Sequence, residues 1–331
     1  MQDLRGISGM VPRAGFGEWL KRTSAWKFTL YCMLAAFLTY CSMYAFRKPF
    51  TAAMYQGLEL WNVDYKIILI SSQVIGYMLS KFLGISVISA MPPSKRIRYI
   101  LLFIGTAWAA LLFFGLVPYP YNFIFLFLNG LPLGMIWGLV FAFLEGRKNT
   151  EMLGAGMSAS FIVASGVVKA VGKFYLEQFD VSEFWMPFLT GLTFIPLLAA
   201  GVWMLTRIPP PDREDIVLRT ERVPMSRKER RTFFRQFAPG IVMVVLVYMA
   251  LTIYRDLRDN FAVELWAELG FANNSVILAV AEIPIAVMVL VITSMMILIR
   301  NNRIAFFSNM GIILFGGVVL AVVTIMFTLR L

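Results

Sequence analysis

The chain has 331 residues, 59% of them hydrophobic and only 15% charged, with mean hydropathy +0.74. No soluble domain of this size can hide so much apolar surface, so the composition excludes a soluble globular fold. The formal net charge of +11 reads as a topology signal rather than as a nucleic-acid footprint, because the basic residues cluster in the connections between apolar stretches.

In chain order, the predicted spans are 25–54, 66–90, 99–117, 122–144, 152–175, 184–206, 238–267, 274–299 and 304–328. Each is about twenty apolar residues or longer, enough for a helix to cross a bilayer, and inside lipid a helix is the form that satisfies its own backbone. With a cytoplasmic N-terminus, the inner segments hold 21 of the 30 basic residues. They include Lys95, Arg96 and Arg98, then Arg147 and Lys148, then the run from Arg227 to Arg235, and finally Arg300 and Arg303. This asymmetry predicts a multi-pass protein of a bacterial inner membrane with its N-terminus inside. The Arg227–Arg235 run is expected on anionic headgroups. Cys32 and Cys41 lie nine residues apart in one span and read as packing or lipid-facing residues.

Six spans, a charged segment containing Pro209, Pro210 and Pro211, and three further spans suggest two halves related by a parallel repeat. The seventh span echoes the first at an offset of 211 residues: Arg47-Lys48-Pro49-Phe50 falls on Arg258-Asp259-Asn260-Phe261. The expected organisation is a cytoplasmic segment at 1–24, a six-helix bundle at 25–206, a cytoplasmic linker at 207–237 and a three-span partial bundle at 238–331. A second half of six spans needs three more helices, so we read the chain as a C-terminally truncated form of a twelve-span protein.

Tyr44-Ala45-Phe46-Arg47-Lys48-Pro49-Phe50 in span one and Gly76-Tyr77-Met78-Leu79-Ser80-Lys81-Phe82 in span two carry a resemblance to a known family. With Gly130, Gly134 and Gly138 in span four, they make the chain similar to the major facilitator superfamily, and in its first two spans to the organophosphate:phosphate antiporter branch. The resemblance implies an all-α polytopic membrane protein of two six-helix bundles, about nine of whose twelve spans are present. It also implies secondary transport of a small anionic solute, organophosphate- or carboxylate-like, by alternating access.

The candidate site follows from the charges inside the spans. Each mid-bilayer Arg or Lys costs ~3 kcal/mol, so Arg47, Lys81 and Arg258 together cost roughly 9 kcal/mol before any pairing. At 1.5 Å per residue, Arg47 lies about 10 Å and Arg258 about 13 Å from the outer ends of their spans, at similar depth in opposite halves. Two guanidiniums converging in a cleft suit a multi-oxygen anion, because each planar fork grips two oxygens at once. Arg47, Lys81 and Arg258 are therefore the expected solute ligands.

Other readings stand beside this one. Arg47 and Lys48 can snorkel outward, as can Lys169 and Lys173. Arg255, Asp256, Arg258 and Asp259 can neutralise one another, with Arg255 and Asp259 an i,i+4 pair. Glu282 is either a proton-linked carboxylate or a partner for a Lys.

The expected partners are the bilayer and the anionic solute, with a proton or a counter-substrate as coupling species, and no nucleic acid. With no His, no metal-ligand cluster and no nucleophile arrangement in the sequence, neither enzyme nor cofactor is implied. The antiporter branch uses a His in span five, and the superfamily usually has an Asp where this chain has Ile88. Their absence keeps a second function in play, a membrane solute sensor that retains the transporter fold and signals through a partner.

The orientation predicts that cysteines placed at Ser94 and at Asn122 react with an impermeant reagent from opposite sides of the membrane. Equal labelling of both from outside overturns it.

Overall fold

The computed structural model describes residues 15–89, 91–147, 150–210, 227–271, 274–299 and 301–329. By length and composition, seven helices are apolar enough to cross a membrane, or eight if a pair bent by 44° counts as one span. The chain is thus an all-α, multi-pass membrane protein. The bent pair is α8 (Met186–Thr193) and α9 (Ile195–Arg207), broken at Phe194 with Pro196 in the second turn position.

The first expected span falls short of that test, and the reason is where it sits. Helix α2 (Ala25–Tyr44) runs through the middle of the helical core, packed on α7 (Thr150–Phe179) and α9. An interior helix meets protein rather than lipid, so it tolerates hydroxyls that find local partners. Thr39 Oγ1 donates to Ala35 O at 2.8 Å, Ser42 Oγ to Leu38 O at 2.7 Å, and Tyr31 OH to Met204 O at 3.0 Å. The helix also stops at Tyr44 instead of reaching residue 54. Pro49 has no N–H to continue the ladder and holds the chain in a short 3-10 turn, Pro49–Ala52.

Two other expected boundaries move. Within the expected N-terminal segment, α1 (Phe16–Arg22) forms a short helix. The expected linker lies partly outside the described residues, at 211–226, and its end is already helical. There α10 runs from Arg227 to Asn260. Its 34 residues span about 51 Å, more than a bilayer core of about 30 Å. Arg, Lys and Glu are strong helix formers, so the basic run extends the helix rather than ending it.

Between the ends, a two-stranded hairpin, β1 (Glu59–Leu60) with β2 (Val63–Asp64), leads into α3 (Tyr65–Ser89). Then come α4 (Arg96–Leu116), α5 (Phe123–Leu133) and α6 (Ile136–Phe141). After α10 follow α11 (Ala262–Trp266), α12 (Ile277–Val280), α13 (Glu282–Ile297) and α14 (Asn302–Thr328). Helices α10 and α14 have apolar windows in which no residue is buried in protein, so their exposed faces need lipid or another chain.

Small residues set the tightest crossings. A methyl on Gly130 of α5 would stand 2.3 Å from Gln73 O of α3, and one on Gly76 of α3 would stand 2.2 Å from Phe127 O. The span-four glycines therefore serve close packing, as membrane helix pairs commonly require. A third close approach joins the earlier helices to the later ones, since a methyl on Gly166 of α7 would stand 2.2 Å from Leu278 O of α12. It brings Ser165 and Lys169 up against the end of α10.

Asn122 is fully buried, whereas Tyr121 is 67% exposed, so Tyr121 is the better outer labelling position. Gly130→Ala should lower stability by about 1–3 kcal/mol because backbone cannot retreat from the added methyl. Gly105→Ala, with nothing within 4 Å, should leave stability unchanged or raise it by up to about 1 kcal/mol. Thermal unfolding in detergent measures both, and equal effects would contradict the α3–α5 packing.

Candidate functional site

The end of α10 supplies the central group. Asp259 faces Lys48 at 2.6 Å through one carboxylate oxygen and Lys169 of α7 at 2.8 Å through the other, where Ser165 Oγ also donates. Lys169 donates again to Asp259 O at 2.7 Å, and Lys48 donates to Asn260 Oδ1 at 2.7 Å. Both lysines are almost fully enclosed, 5% exposed for Lys48 and 1% for Lys169. The outward snorkelling considered for both does not occur. Lys173 is also buried and lies 3.5 Å from Glu177 one turn along α7.

Lys48 and Asp259 occupy equivalent positions in the 211-residue echo, and here they touch. The two positions that the echo pairs thus carry opposite charges in contact. A second contact of the same kind joins Lys66, at the start of α3, to Glu264 of α11, while Lys66 also donates to Thr51 O at 3.0 Å.

The remaining charges of α10 pair differently from the helical i,i+4 expectation. Asp259 is taken by the two lysines, so Arg255 turns to its neighbour Asp256 at 3.0 Å. Arg258 reaches across to Glu282 of α13, placing one terminal nitrogen 3.1 Å from each carboxylate oxygen. Glu282 therefore pairs with an arginine and not with a lysine. Its side chain is only 10% exposed, while that of Arg258 is 40% exposed.

Arg47 is the exception. Its guanidinium carbon lies 3.9 Å from the ring centre of Tyr77 on α3 and 5.7 Å from that of Tyr44. No carboxylate among the described residues pairs with it, and its buried Nε makes no hydrogen bond. The backbone there is held by two amides that sequence reasoning passed over. Gln73 Nε2 donates to Arg47 O at 2.7 Å and to Asn129 Oδ1 at 2.8 Å, and Asn129 Nδ2 donates to Phe46 O and Ala107 O at 2.9 Å. The contacts to Phe46 O and Arg47 O occupy carbonyls of the turn that follows α2, and the one to Ala107 O ties that turn to α4.

Arg47, Lys48, Arg255, Asp256, Arg258, Asp259 and Glu282 line one cavity of about 200 Å³, closed on its apolar side by Phe161, Ile162 and Ile285. Six of the seven residues singled out from the sequence thus come together. Lys81 does not join them. It is exposed on α3, one turn past Tyr77, with Nζ 5.0 Å from that ring's centre.

Long apolar helices enclosing a charged cavity define a multi-pass helical membrane protein with an internal polar site. The chain belongs to the Family of unknown function (DUF5690), whose model matches residues 49–331. That match takes in Arg258, Asp259 and Glu282 and begins just after Arg47 and Lys48. No curated protein and no solved structure matches the chain.

Asp259→Asn leaves two enclosed ammonium groups facing a neutral amide and should destabilise by about 3–5 kcal/mol. Arg255→Ala removes a half-exposed partner and should cost less than about 1 kcal/mol. Unfolding of the two variants side by side checks the ranking; a tolerated Asp259→Asn contradicts the shared-carboxylate joint.

Proposed function

We propose that this protein is a secondary transporter that moves a small oxyanion across the membrane by alternating access, a divergent relative of the major facilitator superfamily. In this reading it lies in an inner membrane with its N-terminus cytoplasmic. One observation carries the proposal: in a cavity where the other lining charges have ion-pair partners, Arg47 has an unfilled guanidinium edge and no ion-pair partner among the described residues. Tyr77 covers one face of the guanidinium, so an incoming anion meets the edge, where N–H groups suit two oxygens of a carboxylate or phosphate.

The rest of the cavity supports the same chemistry. Arg258 is the more exposed member of its pair and lines the same space, so it is placed to add a second contact. The cavity volume of about 200 Å³ is below the usual 300–1,000 Å³ of drug-sized pockets and favours a small solute. Alternating access then requires the polar contacts at Asp259 and Glu264 to part, since they tie the early helices to the late ones.

Stabilisation of the purified chain against inorganic phosphate, sulfate, small phosphate esters, dicarboxylates and neutral sugars tests the site by mass action. Oxyanions should raise the unfolding temperature and neutral sugars should not. Arg47→Ala should abolish the effect, and Arg47→Lys, which keeps charge but loses the fork, should weaken binding by at least about tenfold. If Arg47→Lys binds like wild type, or if only neutral sugars stabilise, the anion site is wrong.

A further inference from the structure

A second guanidinium with no ion-pair partner among the described residues sits at the C-terminal end of α9. Arg207 closes α9 with its guanidinium carbon 5.2 Å from the ring centre of Trp203, one turn earlier. Its Nε is buried without a hydrogen-bond partner, and no carboxylate among the described residues pairs with it. The cavity does not use it.

An aromatic ledge stands beside this cation, and α1 builds it. The helix is far too short to cross a bilayer, yet it is anchored, with Leu20 1% exposed. The Phe16 ring lies 5.5 Å from Trp19, 5.7 Å from Tyr31 and 5.9 Å from Trp203. The Tyr31–Met204 hydrogen bond fixes α2 against α9 at the same level. Trp19 and Trp203 nonetheless keep 54% and 49% of their surface open. Exposed indole rings at the end of membrane helices are the side chains that lie at headgroup level, with an apolar body toward the acyl chains.

We propose that Arg207, Trp203 and the α1 aromatics form a binding site for one anionic glycerophospholipid. The phosphodiester would take the open edge of Arg207, and the acyl chains would lie along Trp203 and Trp19. Charge complementarity selects the anionic class: Arg207 has no carboxylate partner among the described residues, and Arg22, at the end of the helix that carries the ledge, adds exposed positive charge. A soluble phosphate ester could satisfy Arg207 but leaves the aromatic ledge bare, so we assign the site to lipid. This inference stands on Arg207 alone and is independent of the anion reading at Arg47.

The test titrates the full chain in detergent with phosphatidylglycerol, phosphatidylcholine or soluble glycerol phosphate and follows thermal unfolding, in wild type, Arg207→Gln and Arg207→Lys. Phosphatidylglycerol should stabilise wild type, with apparent affinity falling at least about tenfold in Arg207→Gln and less in Arg207→Lys. Phosphatidylcholine should have little effect, and any response to glycerol phosphate should be the same in all three proteins. Brominated phosphatidylglycerol should quench indole fluorescence more than brominated phosphatidylcholine does, and Trp203→Phe should remove much of that difference. Equal responses to the two lipids, or a phosphatidylglycerol shift unchanged by Arg207→Gln, overturns the site. A glycerol phosphate response that depends on Arg207 reassigns it to a soluble anion and overturns the lipid proposal.

Discussion

Asp259 is the joint on which the interior depends. One carboxylate at the end of α10 pairs with both Lys48, just past the end of α2, and Lys169 of α7. Isolated, either ammonium in so enclosed a place costs several kcal/mol, and so does the carboxylate. Together, with Ser165 and Asn260 completing the hydrogen bonds, they make an arrangement that a single substitution leaves with stranded charge. The close approach at Gly166 is what lets α7 come near enough. A small residue on one helix and a carboxylate on another therefore act as one device.

That arrangement has a consequence for its neighbours. With Asp259 taken, Arg258 turns to Glu282 and Arg255 to Asp256, and no carboxylate among the described residues forms an ion pair with Arg47. Its guanidinium is kept in place by Tyr77 below and by the Gln73–Asn129 amides that hold its backbone. In the proposed reading, this positive charge, with no ion-pair partner among the described residues, accepts an anion without first breaking a protein ion pair. The Arg258–Glu282 pair, half open on its arginine side, is in that proposed reading the element best placed to rearrange.

The helical, membrane-crossing character was legible because apolar length is a direct reading of bilayer thickness. Counting 1.5 Å per residue suggested a common level for Arg47 and Arg258; both line one cavity, although α2 ends at Tyr44 and Arg47 stands on the turn beyond the counted helix. Direction around a helix was not legible. Lys169 is close to a span end by count, which suggested outward reach, yet it lies on the face of α7 that meets Asp259, and only packing reveals that face. Lys48 escaped for a related reason, because Pro49 ends α2 early and the following turn carries the ammonium inward. Lys81 shows the converse: it shares a face of α3 with Tyr77, which covers Arg47, but stands one turn farther along and does not line the cavity. The amides Gln73 and Asn129 left a usable signal, being polar groups inside apolar runs that must find partners.

The most direct measurement of the central claim is exchange of radiolabelled inorganic phosphate across vesicles containing the purified protein. The account predicts uptake that is accelerated by phosphate on the opposite side and lost in Arg47→Ala, while Arg255→Ala keeps most of it. Uptake in Arg47→Ala at the wild-type rate would contradict an anion site built on that guanidinium.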